Sequence, residues 1–270
     1  MKIGNIIKAG TLLFALSVTH LEAEVVLTSD RDTIVVLGDE IAGMRDMLKN
    51  YIMSAIDLKY KDPNRRLDEN IEQFESTIEA VRQKYSDTEV VDALATIDKT
   101  WSTFKGKLLL GKEKKVSKEQ MKEGALYIHD NTRTIVKALM LMKRYFIQKS
   151  SIKEIKVYSA SRNIGVSARG FGSHYMLKMW EVNDPTIKEH WDNKVAKKLL
   201  ASLVVIKASS YGTNPRVKAI LKTVERDYRY LDHLFYGMEG NYMPSLVDKK
   251  TNEMYRLSLE LSEIILKKNQ

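Results

Sequence analysis

A chain of 270 residues with 44% apolar content is long enough for one large hydrophobic core or two small ones, and four prolines leave room for long regular elements. The absence of cysteine excludes disulfide frameworks, thiolate metal sites and cysteine nucleophiles. The formal net charge of +9 is spread along the chain apart from short runs such as 112–115 and 197–198, which reads either as solvated helix faces or as a mild attraction for anionic ligands or surfaces.

The first residues, "MKIGNIIKAGTLLFALSVTHLEA", place Lys2 and Lys8 ahead of an uncharged run, Ala9 to Val18, and end on Ala23. That layout predicts a signal peptide over 1–23 and export, to a bacterial periplasm; the alternative is a retained membrane anchor. Export removes nucleic acid as a partner. No later segment has eighteen consecutive apolar residues, so no membrane span is expected once the signal is removed.

The next stretch, "VVLTSDRDTIVVL", is either an extended lead-in or the start of a first helix. Beyond it the spacing is helical: Ile71, Phe74, Ile78 and Val81 recur at three and four, as do Val90, Leu94, Ile97, Trp101, Phe104 and Leu108. Asp62-Pro63 is expected to end one helix and admit the next. Ser86-Asp87 offers a cap for the third, and Ser117 with Gln120 a capping box for a long fourth.

The second half follows the same plan. Asp184-Pro185 stands to Gly165 as Asp62-Pro63 stands to Gly43, and Ile97-x3-Trp101-x2-Phe104-x3-Leu108 is matched by Val224-x3-Tyr228-x2-Leu231-x3-Phe235. The expectation is an all-α protein of two tandem four-helix bundles, residues 24–150 and 151–270. Helices are expected near 34–61, 64–85, 88–110, 118–150, 152–183, 186–209, 215–237 and 247–268. No proline or glycine separates Ser150 from Ile152, which leaves a continuous rod between the bundles open.

Ala42-Gly43, Arg45 and Met47-Leu48 in the first helix, with the later segment Ile97 to Phe104, resemble the periplasmic N-terminal sensor domain of type IV pili methyl-accepting chemotaxis transducers (the PilJ type). Nitrate/nitrite sensor kinases carry a related domain. The resemblance is best over 35–110 and extends more weakly to the second unit. It implies a four-helix bundle that senses a small ligand, in some members nitrate or nitrite, held by an arginine and backbone from paired first helices. The family arginine falls three residues after the glycine, where this chain has Asp46, with Arg45 one place earlier and so about 100° around a helix. In the second unit Ala168 takes that place and Arg169 follows, with Arg162 upstream.

Small residues at Gly43, and the run "SASRNIGVSARGFGS" around Gly165, are expected to let helices approach closely. If the two first helices lie side by side, Arg45, Arg162 and Arg169 are candidates to converge on one anion; otherwise they are solvated. Tyr228, Tyr230, Tyr236 and Tyr242 are candidate protein-contact residues, since amphipathic aromatics favour interfaces.

No Glu-x-x-His pair, HExxH, G-x-S-x-G or Walker sequence occurs. His129, His174, His190 and His233 therefore read as surface or helix-face residues, and no metal or cofactor is expected. The sequence points to a non-enzymatic, sensor-like helical module without a transmitter domain. Its expected partners are a small anion, and a membrane receptor or pilus-associated protein. The competing expectation is a periplasmic scaffold with no small-molecule ligand.

Overall fold

The computed structural model describes residues 25–113, 116–150, 152, 154–182, 187, 189, 191–237 and 240–267. The segment 1–23, Asp184-Pro185 and His190 lie outside them. Among the described residues there are eight α-helices and no strand: α1 (Asp30–Ala55), α2 (Pro63–Lys84), α3 (Thr88–Leu110), α4 (Lys118–Lys149), α5 (Ile155–Met179), α6 (Lys197–Ala208), α7 (Pro215–Gly237) and α8 (Pro244–Lys267). A π-helical turn, Trp191–Ala196, leads into α6.

Local capping explains most of the boundaries. Ser29 Oγ accepts from the Asp32 amide at 3.2 Å while the Asp32 carboxylate accepts from the Ser29 amide at 2.9 Å, so the first β-branched stretch becomes a capped helix. Ser117 and Gln120 form the expected second box. α1 stops at Ala55, short of the expected 61, because Asp57, Lys61 and Asp62 take the left-handed conformation with φ of 53°, 54° and 44°. Asp62 does not close α1. It caps α2, accepting from the Arg65 amide at 3.1 Å.

There is no rod between the halves. At Ser150 the backbone turns extended (ψ 151°), its amide donates to Phe146 O, and its hydroxyl donates to Ile147 O, so one serine takes up carbonyls of the last turn of α4. α5 then runs beside α1 instead of prolonging α4.

The helix pairings recur. α1 packs on α2 and α4, and α3 on α4; α5 packs on α6 and α8, and α7 on α8. Ile97, Phe104 and Leu108 on α3 are buried with Trp101 half-buried, and their counterparts Val224, Leu231 and Phe235 on α7 are buried with Tyr228 half-buried. Each half also has its own aromatic centre. Trp101 lies 4.2 Å from Phe74 and 5.7 Å from Phe104, whereas Trp191 stacks on Phe235 at 3.8 Å with Phe171 edge-on at 3.6 Å.

α1 and α5 also pack directly on each other, joining the two halves along their first helices. Asp39 meets Arg162 and Asp46 meets Arg169, both pairs 123 positions apart. A constant offset means that the two helices run parallel and in register, with contacts repeating every seven residues as in a coiled-coil seam.

Candidate functional site

The α1–α5 seam carries an unusual density of buried charge. Lys49 is fully buried between Asp46 and Asp248, 2.6 Å from each, and Arg66 of α2 reaches Asp248 of α8 at 3.0 Å. Arg169 pairs with Asp46 at 2.5 Å, hydrogen-bonds Asn252, and lies 4.4 Å from the Tyr255 ring centroid. Tyr255 donates to Asp39 at 2.7 Å, and Asp39 also holds Arg162. Burial alone would raise the pKa of Asp46, but the charges of Arg169 and Lys49 outweigh it and hold the carboxyl at about 2. For Arg162, burial is likewise outweighed, by Asp39, and the guanidinium is held above its ordinary range.

These contacts decide the fate of the sequence candidates. Arg162 and Arg169 are neither solvated nor directed at an external anion, because Asp39 and Asp46 of α1 already neutralise them. The convergence of Arg45, Arg162 and Arg169 on one ion is therefore not found. Gly165 is a true close approach: a Cβ there would overlap Ser258 Oγ and stand 2.9 Å from Tyr255 Cδ2. Gly43 is not, since its Cβ would meet only Glu40 Oε2, at 3.7 Å. The remaining glycines of α5 make room for long side chains of α1 instead of backbone. A Cβ at Gly172 would lie 2.9 Å from Lys49 Cδ, and one at Gly170 would lie 3.3 Å from Val195 Cγ2 of the π-helical turn and 3.5 Å from Arg45 Nη1.

Arg45 thus belongs to a different place. It lines an open groove of about 280 Å³ with Arg133, Lys137 and His129 of α4 and Lys194 of the π-helical turn; among the described residues no aspartate or glutamate lines it. Its Nε is buried without a hydrogen-bond partner among the described residues, and burial pulls the guanidinium pKa down with no opposing carboxylate. Two more cations crowd the same junction of α1, α4, α5 and α6. Burial and then Arg45 lower Lys198 to about 8. Burial, Arg162 and Lys198 lower Lys143 to about 7, with only Asp39 opposing.

His174 is buried on a face of α5, not at the surface; its Nδ1 lies 2.7 Å from Gly170 O and its ring is edge-on to His129 at 5.4 Å. His233 is exposed. Of the tyrosines, Tyr228 packs on Phe171 at 5.7 Å and Tyr242 lies 5.9 Å from Tyr175, while Tyr230 and Tyr236 are exposed on α7, Tyr236 donating to Asp192. Among the described residues no group of three or more His, Asp or Glu is placed to hold a metal ion, and no helix is long and apolar enough to cross a membrane.

Glu40 faces away from the groove, buried against α2, where Thr77 donates to its Oε1 at 2.8 Å. Burial pushes its pKa up to about 8, so the folded protein retains a proton there that the unfolded chain gives up near pH 4.3. Its contribution to stability is complete below that value and is lost as pH rises through about 8. Urea unfolding of Glu40→Gln at pH 5, 7 and 9 is expected to show the variant gaining on the wild type as pH rises. A pH-independent difference would contradict it.

No family model matches the chain, and neither a curated protein nor a solved structure is detectably similar to it.

Proposed function

We propose that this protein is a non-enzymatic, sensor-like helical module that binds a small anion in the groove floored by Arg45. The observation that carries this reading is a half-buried arginine whose Nε is enclosed without a hydrogen-bond partner among the described residues, opening onto a groove whose described charged lining is basic. A cation partly withdrawn from water without a counterion is costly, and a ligand that supplies one recovers part of that cost as affinity. The resemblance of Ala42-Gly43 to Leu48 and Ile97 to Phe104 to the PilJ-type domain supports the sensor class, and the arrangement of residues 1–23 supports export to a periplasm. The exposed apolar side chains Leu200 and Val204 of α6 support onward contact with a partner protein, of which a membrane receptor or pilus component is the expected kind.

Calorimetry and thermal unfolding with sodium nitrate, nitrite and acetate, each against sodium chloride at equal ionic strength, test the reading. A ligand at a hundredfold excess over its Kd stabilises by about 2.7 kcal/mol. The shift is expected in the wild type and absent in Arg45→Gln. Equal shifts in both proteins would remove Arg45 from the site, and no shift with any anion would favour the scaffold reading.

A further inference from the structure

Resting on the anion-binding reading, we infer that the ligand is an organic carboxylate with a short apolar body, and not an inorganic oxyanion. The groove's size is the first reason. At about 280 Å³ it falls just short of the range for drug-sized sites, about 300–1,000 Å³, and is roughly ten times the ~30 Å³ share of a liquid water. A four-atom planar ion on Arg45 would leave most of that space filled with water.

The lining is the second reason. Leu48, Val136 and Met140 contribute an apolar wall beside the cations, and Met140 is 43% exposed where it borders the groove. Helical spacing on α4 puts His129, Arg133, Val136, Lys137 and Met140 along the face that lines the groove, at steps of four, three, one and three residues. The groove therefore presents an aliphatic strip with cations along it. That pattern matches a molecule that is charged at its head and apolar in its body, with the carboxylate on the guanidinium of Arg45 in the two-point geometry that arginine favours. The bound carboxylate also offsets the repulsion that Arg45 and Lys198 exert on each other.

A homologous series separates this from the broader reading. Calorimetric titration with acetate, butyrate and hexanoate, and with nitrate, is expected to show affinity rising about three- to fourfold per methylene until the apolar strip is covered, with nitrate no tighter than acetate. Met140→Gln is expected to flatten the chain-length dependence, weakening hexanoate more than acetate. Arg45→Gln weakens every member at least tenfold. Lys194→Gln, an exposed change that leaves the core intact, weakens every member about twofold to fivefold. Nitrate binding as tightly as hexanoate would overturn the organic-ligand inference and leave the anion site standing. No binding by any member would overturn both.

Discussion

Lys49→Met is expected to destabilise the protein by about 3–5 kcal/mol, the cost of breaking a buried ion pair from one side. Lys49 is completely buried and shared between Asp46 and Asp248, so the methionine fills the volume but leaves two carboxylates of different helices without their common cation. Arg169 and Arg66 remain, one on each carboxylate, and set the lower end of that range. For a chain of this size the loss corresponds to a fall in Tm of roughly 6–20 °C. Adding Asp248→Asn to Lys49→Met should recover part of it, because the amide removes one buried negative charge yet still accepts from Arg66. A Tm within 2 °C of the wild type for Lys49→Met would show that the network adds nothing over apolar packing. The network also predicts acid sensitivity: Asp46, held at about 2, contributes fully above about pH 4, and that contribution disappears as pH falls toward 2.

The second large effect is a contrast in sign between two glycines that look equivalent in the sequence. Gly→Ala in a helix interior normally stabilises by up to about 1 kcal/mol. Gly43→Ala should do so, since the new methyl meets nothing closer than 3.7 Å. Gly165→Ala should destabilise by about 1–3 kcal/mol, because its methyl enters the space of Ser258 and Tyr255 on α8. Tyr255 has little freedom to yield. It is tied to Asp39 through its hydroxyl and to Arg169 through its ring. Chemical denaturation of the two single variants is sufficient, and the same sign in both would refute the close approach.

The helices were legible in the sequence because their signals are local. Apolar periodicity places α2, α3 and α7, and cap residues such as Ser117 with Gln120 fix boundaries within a single turn. The end of α1 was misjudged because proline marks where α2 begins, not where α1 stops, and the left-handed residues between them carry no distinctive composition beyond Asp57 and Asp62. The site was legible only in part. Arg45, Arg162 and Arg169 are each buried or partly buried on the first helices, but the partner of an arginine is a long-range matter. Asp39 and Asp46, seven residues apart, and Arg162 and Arg169, seven residues apart, were the signal that two seam faces carry opposite charge at matching register. The groove was beyond reach, since Arg133 and Lys137 read as ordinary exposed cations until α4 is set beside the π-helical turn.

The opposed charges of α1 and α5 bear on why both halves reside in one polypeptide. In a twofold dimer of identical subunits paired along this helix, every residue on the axis faces its own twin, so acid would confront acid or base confront base. Carrying both strips in one covalent molecule lifts that constraint: one strip has aspartates at 39 and 46, and the other has arginines at 162 and 169. The same asymmetry frees the two outer flanks from being alike, so one closes over Lys49 and Asp248 while the other stays open around Arg45. A symmetric dimer of one such half would have two such clefts or none.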